Sequence, residues 1–494
     1  MLPNFTPDLT SRLRDSFLTA GYDTDGVLSA LGPQAQSALT RGEPEPARRA
    51  TKDAGPLGTL IRLFLLGDPE PEPDIRTAFK SLDIDTLLAT ELLRRTDQGL
   101  RAGLDVRPYA DTSWWVIADL DAEQRGGPVP ADHVLGIGQA SISLARATAR
   151  RPVGTLLDLG TGCGVQALHA SRHAGRITAT DLSERALALA KGTFLLNELD
   201  VEVAQGEWFA PVRNRRFDQV VCNPPFVVGP PRVDYTYRDS GLGGDDASAL
   251  VVRQMPSFLN EGGVGQLLAS WLHRKGEDWA DRVSGWLPRG GVDAWFVQRD
   301  VADPALYVGT WLRDAGVDPR SPEGREKAAV WLDWFARNDV EGVGFGFVTV
   351  RRTGGEHAEV VCEDLRHAYV DPLGPETSAW LDRVDWLRAN GSAESLLATR
   401  FTVPESVLLE EVSSPDEEGW TAVVRRLHRQ DGPGWQHELD EVAAALLAGC
   451  RGALPLEDLV TLLAFAHDQP LDGLIANALP VVRDLVRHGM LRPA

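Results

Sequence analysis

Asn223, Pro224, Pro225 and Phe226 interrupt the apolar run VVCNPPFVVGPP, and their types suit the binding of a planar nitrogen. A residue before proline is held extended and prolines lack an N–H, so Asn223 is expected to project in a fixed pose. The acceptors left are the Asn223 side-chain oxygen and the Pro224 carbonyl, which match the two hydrogens of an NH2 group. Phe226 offers a flat surface to an amide or nucleobase. We therefore predict a clamp for a weakly nucleophilic planar nitrogen.

The glycine-rich sequence DLGTGCG (158–164) is a second candidate site, because it directly follows an apolar strand. Its three glycines allow a sharp turn and the close approach of a ligand. Two of them, with Ala167, also approximate the G-x-G-x-x-A fingerprint of dinucleotide-binding proteins. Asp158 argues against that alternative, since a carboxylate suits a cationic amino group better than a pyrophosphate. The Asn-Pro-Pro-Phe sequence also fits no nicotinamide enzyme pattern.

Polar and aromatic residues follow the next two predicted strands. Asp181 ends the second strand, one strand–helix–strand unit after Asp158, where a carboxylate can bind both ribose hydroxyls of an adenosine. The alternative role for Asp181 is a helix N-cap. Glu207 and Trp208 follow the third strand, and the Trp208 indole either faces an adenine or packs in the core. These positions indicate a nucleoside site.

The region from about 126 to 355 alternates strands with helices, which predicts a doubly wound α/β domain. Its strands are near-continuous apolar runs, as is typical of buried parallel strands. A helical insert rich in Trp and Arg is predicted at about 303–340, between the last two strands. The seven predicted strands are VGTLLDLG, RITATDL, VEVAQGEW, FDQVVCN, VGQLLASW, AWFVQRD and GFGFVTVRR.

Two flanking domains are predicted: a mainly helical one at 1–125 and an α+β one at 356–494. The C-terminal tail reads as two helices and a short turn, which could form a winged-helix-like lobe. Such lobes bind DNA in some proteins and only pack in others. Near the candidate site, HVLGIGQAS (133–141) is either a cover for the ligand or a plain entry to a helix. GLGGDD (241–246) is either a mobile substrate flap or a linker.

DLGTGCG, TATDLSERAL, GEWF and CNPPF follow one another with the spacing of class I S-adenosylmethionine-dependent methyltransferases. Residues of about 130–350 resemble the branch that has an Asn-Pro-Pro-aromatic motif. They are similar to release-factor glutamine N5-methyltransferases and to the small methyltransferase domain of ribosomal RNA guanine-N2 methyltransferases. Glu207 and Phe226 stand where the glutamine enzymes usually have Asp and Tyr, and Phe is commoner among the guanine enzymes.

The resemblance implies a Rossmann-like fold of seven strands and S-adenosyl-L-methionine as the cofactor. It assigns the acceptor nitrogen to Asn223, Pro224, Pro225 and Phe226. It assigns cofactor contacts to Asp158, Gly160, Thr161, Gly162, Gly164, Asp181, Leu182, Glu207, Trp208 and Asn223.

The predicted reaction is N-methylation by in-line displacement, in which the protein orients the nitrogen and excludes water. No strong general base is required. The acceptor is a protein glutamine amide, a nucleobase amino group in RNA or DNA, or a small-molecule amide or amine. A non-catalytic cofactor-binding scaffold is a further alternative, against which the intact NPPF sequence and the complete set of glycines argue.

Charge, cysteine spacing and hydropathy argue against several other classes of protein. A net charge of −21 and a pI near 4.9 disfavour avid, non-specific nucleic-acid binding, although the short basic stretches ARATARRP, RNRRF and RRLHRQ leave local contacts open. The four cysteines form no C-x-x-C pair, and His169 and His173 lack an evident third ligand, so no metal is expected. Without a secretion signal or an apolar run of about 20 residues, we expect a cytoplasmic protein with no membrane segment.

Overall fold

The computed structural model describes residues 2–110, 114–125, 130–231, 240–356, 358–417 and 419–494. The chain divides into two compact units. One comprises Met1–Ala145 with Pro152–Glu363, and the other comprises Arg146–Arg151 with Asp364–Ala494. The predicted boundary at 125/126 adjoins residues 126–129, which lie outside the described part, so a separate N-terminal domain stays a prediction. None of the described helices combines the length and the apolar character that a membrane span requires.

The N-terminal part of the first unit is mainly helical, as predicted, and also contains two antiparallel hairpins, β1–β2 and β3–β4. Its core is aromatic, with Phe17, Phe64 and Trp115 fully buried. The elements are α1 (Pro7–Ala20), α2 (Thr24–Leu39), α3 (Glu45–Thr51), α4 (Gly55–Leu60), a π-helical turn (Ile61–Leu65), α5 (Glu72–Ala78), α6 (Ile84–Ala89), β1 (Leu93–Thr96), β2 (Gly99–Ala102), β3 (Asp105–Tyr109), β4 (Trp114–Ala118) and α7 (Ala122–Arg125).

A sheet of eight strands forms the centre of the first unit. Seven of these strands are the predicted ones. The strands are β5 (Val153–Leu159), β6 (Ala174–Asp181), β7 (Val201–Gln205), β8 (Phe217–Cys222), β9 (Leu259–Arg274), β10 (Val292–Ala302), β11 (Val340–Arg352) and β12 (Val360–Asp364).

The strand order is β12-β10-β11-β9-β8-β5-β6-β7. The strands from β7 to β9 in this order pair in parallel, whereas β11 pairs antiparallel with both β9 and β10. Asp158 of β5 is in register with Ala179 of β6 and Val221 of β8, so the carboxyl ends of these three strands are level. The sheet confirms the predicted α/β fold class and places a topological switch point at β5.

Helices and short 3-10 turns connect the strands. Side-chain caps fix several helix starts: Ser183 accepts from the Ala186 N–H at the start of α10, and Asp303 and Ser321 cap the two helices between β10 and β11. The elements are α8 (Gln139–Ala147), α9 (Val165–Ala170), α10 (Glu184–Leu196), 3-10 turns at Ala210–Val212 and Met255–Phe258, α11 (Asp246–Gln254), α12 (Trp279–Ser284), α13 (Pro304–Asp314) and α14 (Pro322–Arg337).

The second unit is α+β, with two three-stranded sheets ordered β17-β13-β18 and β14-β15-β16. Its centre holds a buried ion-pair network in which Glu376 accepts from both Arg383 and Arg429. The likeness to a winged helix stays a prediction. The elements are α15 (Gly374–Asn390), α16 (Ala393–Ala398), β13 (Arg400–Thr402), β14 (Val407–Asp416), β15 (Gly419–Arg429), β16 (Gln436–Glu438), α17 (Glu441–Gly449), β17 (Arg451–Pro455), α18 (Leu456–Ala466), α19 (Leu471–Arg487) and β18 (Arg492–Pro493).

Candidate functional site

A cavity of about 370 Å³ lies at the carboxyl ends of β5, β6 and β8. Its walls come from the glycine-rich turn, the ends of β6 and β7, the NPPF segment and the loop before α8. Most of the predicted site residues meet here. Of these, the lining includes Gly160, Thr161, Gly162, Asp181, Leu182, Glu207, Trp208, Asn223, Pro224 and Pro225.

The glycine-rich turn is held open toward the cavity. The amides of Gly160 and Thr161 both donate to the Thr180 carbonyl at 2.9 Å, which fastens the turn to the end of β6. Gly160 and Gly162 have φ values of +74° and +55°, and a Cβ built at either would meet no atom within 4 Å. The left-handed backbone therefore requires glycine at these positions, while the space beside them stays free for a ligand.

Gly164 differs, because both its backbone and its surroundings require glycine. Its φ is +91°, and a Cβ built on it would lie 2.6 Å from Phe194 Cε1. Gly164→Ala should lower the free energy of unfolding by roughly 2–4 kcal/mol through strain and overpacking. Urea unfolding followed by tryptophan fluorescence measures the loss. Gly138→Ala is the control, since a Cβ there meets nothing within 4 Å; equal midpoints for the two variants would contradict the expectation.

Asp158 lies behind the turn and does not line the cavity. It is fully buried, and its Oδ2 accepts from Thr161 Oγ1 at 2.7 Å and from the Ala167 amide at 3.1 Å. Its Oδ1 has no hydrogen-bond partner among the described residues. Asp158 thus braces the turn and the start of α9. Its predicted direct contact with the cofactor stays a prediction.

Burial raises the pKa of Asp158 from its ordinary 3.8 to about 7. A raised folded-state pKa contributes stability that is complete below pH 4 and is lost as pH rises through 7. Asp158→Asn stays neutral, so the unfolding free energy of the variant relative to wild type should rise by up to about 4 kcal/mol between pH 4 and pH 8. Urea unfolding across this range tests the sign, and a difference independent of pH would contradict it.

Asp181 faces the cavity at the end of β6. Its Oδ2 accepts from the Gly162 amide and its Oδ1 from the Ser183 amide, both at 2.9 Å. The N-cap of α10 is Ser183 rather than Asp181, so helix capping does not explain the Asp181 side chain. Each carboxylate oxygen keeps a lone pair for a further donor. The neighbouring Leu182 is 55% exposed and adds an apolar surface to the lining.

Trp208 has an unusual backbone at the cavity wall. Its φ of +47° lies in the left-handed region, which bulky side chains rarely adopt. Such strain costs about 1–3 kcal/mol, and residues that carry it cluster at functional sites. Glu207, beside it, is exposed and also lines the cavity. Together the two residues give the end of β7 an indole face and a carboxylate.

Three of the four residues of the NPPF segment line the cavity, and the fourth, Phe226, does not. Asn223 is half-buried at the cavity, and its Oδ1 is buried with no hydrogen-bond partner among the described residues. Pro224 and Pro225 continue the lining. Phe226 does not belong to it: the ring packs 5.3 Å from the Phe345 ring, and Phe226 remains half-buried. The assignment of these four residues to an NH2 clamp stays a prediction.

The loop before α8 closes the cavity on another side. Residues 132–136 and 138 of this loop line the cavity together with residues 140 and 141 at the start of α8, which supports the interpretation of HVLGIGQAS as a cover. The loop is braced by Asp119, whose Oδ2 accepts from the Val134 amide at 2.9 Å and whose carboxylate binds Arg185 at 2.6 Å. The sequence did not indicate this brace, because no local pattern links Asp119 to a residue of α10.

The charged residues of the described lining are acidic: Asp132, Asp181 and Glu207, with no lysine or arginine among them. Such a wall suits a cationic ligand. The two cysteines of the lining are buried thiols, and burial raises the pKa of Cys163 to about 12, which makes it a poor nucleophile at neutral pH.

The two histidines that were considered as metal ligands have different partners. His169 Nε2 lies 2.8 Å from the Tyr109 hydroxyl, and His173 Nε2 lies 2.9 Å from the side-chain oxygen of Gln219. Within the described ranges, no group of three or more His, Cys, Asp or Glu residues is arranged to hold a metal ion.

Comparison with known proteins identifies the region that carries this cavity. Residues 136–238 match the family model of the methyltransferase small domain. Residues 19–103 and 378–493 match two models described as domains of unknown function, DUF7059 and DUF7782. The flanking parts of the chain therefore also have relatives in other proteins.

The chain is 33% identical over 189 residues to the release factor glutamine methyltransferase of Deinococcus radiodurans, covering 34% of this chain and 63% of the relative. It is 30% identical over 189 residues to the ribosomal RNA small subunit methyltransferase C of Erwinia tasmaniensis, covering 36% and 51%. The chain thus spans less than two thirds of the length of these relatives.

Among solved structures, a SAM-dependent methyltransferase from Thiobacillus denitrificans in complex with S-adenosyl-L-homocysteine is 18% identical, with a TM-score of 0.26, covering 44% of this chain and 92% of that one. The family model and the curated relatives confirm the predicted resemblance. They also confirm the predicted enzyme class, an S-adenosylmethionine-dependent methyltransferase, for this region of the chain.

Proposed function

We propose that the protein as a whole is an S-adenosylmethionine-dependent N-methyltransferase that acts on a planar NH2 group. The observation that carries the proposal is Asn223 Oδ1, an acceptor buried at the cavity without a partner. A buried polar atom without a hydrogen-bond partner costs about 1–3 kcal/mol. A ligand that donates a hydrogen bond to Asn223 Oδ1 removes this cost. An NH2 group supplies that donor.

The cavity fits the cofactor. Its glycine turn leaves open space at Gly160 and Gly162, the Asp181 carboxylate has lone pairs for a diol, and Leu182 and Trp208 supply surfaces for a base. The acidic lining suits a sulfonium. When bound, S-adenosylmethionine supplies a methyl group that is already activated for transfer.

The residues of the chain then act on the acceptor. Asn223 Oδ1 and the Pro224 carbonyl accept the two hydrogens of the NH2 group and thereby orient its lone pair. They also stabilise the positive charge that develops on nitrogen during transfer. Pro225 stiffens the segment, so little reorganisation accompanies the reaction. No strong base is needed, since a methylated amide or arylamine cation is acidic enough to lose its proton to water.

The proposed acceptor NH2 group belongs either to a protein glutamine side chain or to a nucleobase. The named relatives act on a release factor glutamine and on ribosomal RNA. The acidic lining and the net charge of −21 favour a protein carrier over a polyanion, whereas the half-buried Phe226 ring favours a base. A small-molecule amide or amine is the remaining acceptor class. A cytoplasmic location is also proposed, supported by four free cysteines.

Methyl transfer from tritiated cofactor to fractionated cell extract tests this function. Parallel samples are digested with protease or ribonuclease, and a sample without enzyme is the control. We expect label in a macromolecular fraction, removed by protease for a glutamine acceptor and by ribonuclease for an RNA base. Cofactor binding by calorimetry with no labelled product in any fraction, small molecules included, would favour a non-catalytic scaffold instead.

A further inference from the structure

We infer that the α13–α14 hairpin is the acceptor-specificity element of this enzyme, and that Trp311 positions the Phe226 ring against the acceptor. The inference rests on the proposed function and deepens it. The hairpin lies in the region predicted as a helical insert between the last two strands, outside every cofactor motif. The role in acceptor specificity is inferred from the contacts that the hairpin makes with residues 226–229.

The hairpin holds the chain that follows the NPPF segment. The Val228 amide donates to the Tyr307 hydroxyl of α13 at 2.8 Å, although the two residues are far apart in sequence. A Cβ built at Gly229 would lie 3.5 Å from the Trp331 indole of α14, so the indole lies against this backbone. Both helices of the hairpin therefore fix the path of the chain directly after Phe226.

GLGGDD secures the same chain from another direction. The Gly244 amide donates to the Gly229 carbonyl at 2.9 Å, and a Cβ built at Gly244 would lie 3.2 Å from Trp334 of α14. Asp245 next to it is buried and binds Arg282 at 2.6 Å. The anchored end of GLGGDD and the hairpin together fix the backbone of residues 227–229. The side chain of Phe226, directly before them, is then oriented by its own ring contacts.

Trp311 makes the contact that orients this ring. Its indole meets Phe226 edge-to-face, with ring centroids 6.3 Å apart and planes at 68°. Phe345 packs on Phe226 at 5.3 Å and 50°. All three side chains are half-buried, so each keeps an exposed part beyond the core. None of the three rings belongs to the lining of the cofactor cavity.

The physical consequence concerns the acceptor rather than the cofactor. Edge-to-face contacts favour particular ring planes, so Trp311 restricts the planes that Phe226 adopts. A ring that is already oriented loses less freedom when a planar amide or base stacks on it. Loss of the indole should therefore weaken acceptor binding and leave cofactor binding unchanged, because neither Trp311 nor Phe226 lines the cofactor cavity.

The test compares Trp311→Ala, Trp311→Phe and Trp420→Ala in the full chain. Trp420 is the matched control, because it is also a tryptophan, is 76% exposed and lies outside the hairpin, on β15. Transfer of tritiated methyl groups is measured against increasing amounts of the extract fraction that wild type labels. Calorimetry with S-adenosylhomocysteine gives the cofactor Kd.

For Trp311→Ala we expect the half-saturating amount of acceptor to rise roughly 3- to 10-fold, with kcat and the cofactor Kd within about twofold of wild type. Trp311→Phe should recover most of the loss and Trp420→Ala should match wild type. An unchanged half-saturating amount, or an equal change in cofactor Kd, would overturn the inference while leaving the proposed function intact. Absence of labelled product with wild type would overturn both.

Discussion

Asn223→Ala should lower the turnover of methyl transfer by at least about 100-fold, while the cofactor Kd changes by less than about tenfold. The expected effect on turnover exceeds that on the cofactor Kd because of where the Asn223 side chain lies. The Asn223 oxygen is the acceptor left unpaired at the cavity, whereas the described hydrogen bonds of the glycine turn and of Asp181 do not involve it. Removal of the oxygen abolishes the orientation of the NH2 lone pair and the stabilisation of the charge that develops on nitrogen. Single-turnover transfer and calorimetry measure the two quantities.

Asn260→Ala is the matched control for this variant. Asn260 donates to Asp218 at 2.7 Å near the amino ends of β8 and β9, at the end of the sheet opposite the cavity. It should retain turnover near the wild-type value. Turnover of Asn223→Ala equal to that of Asn260→Ala would refute the role assigned to the amide.

Asp181→Ala should raise the cofactor Kd by about 100-fold or more. Hydrogen bonds to a charged group contribute about 1.5–3 kcal/mol each, and the variant loses acceptors for a ribose diol together with the bond that holds the Gly162 amide at 2.9 Å. Asp181→Asn keeps one oxygen and should give an intermediate Kd. Calorimetry with S-adenosylhomocysteine separates the variants without turnover.

Asp218→Ala serves as the control for this effect, since it removes a carboxylate that binds the Thr155 amide at 2.8 Å away from the cavity. The cofactor Kd of this control should stay within about threefold of wild type. Binding by Asp181→Ala as tight as by the control would contradict the ribose assignment.

The sequence predicted the strands well, because each is a buried apolar run between helices. Seven of the eight strands in the central sheet appear where they were expected. The eighth, β12, has only five residues and is exposed or half-buried along its length, so it lacks that signal. The antiparallel pairing of β11 was also not predicted, because strand direction depends on connections that no local pattern encodes.

The site was predictable in part. Asp181, Trp208 and Asn223 meet because they lie at or just after the carboxyl ends of neighbouring parallel strands. Asp158 belongs to the same group in sequence, but it lies inside β5 and is directed into the protein, where it is 0% exposed. The Arg185 brace and the Trp311 contact join residues 66 and 85 positions from their partners. Only the folded chain reveals such pairs.

We propose that a nucleoside cofactor and an NH2 acceptor meet at Asn223. A crystal structure of the protein with S-adenosylhomocysteine would show whether the cofactor lies there. We expect adenosine along the turn from Gly160 to Gly164, with its ribose hydroxyls at the Asp181 carboxylate and its sulfur directed toward Asn223 Oδ1. A ligand bound outside this cavity, or an Asn223 side chain that turns away and pairs with the protein interior, would rule out this arrangement.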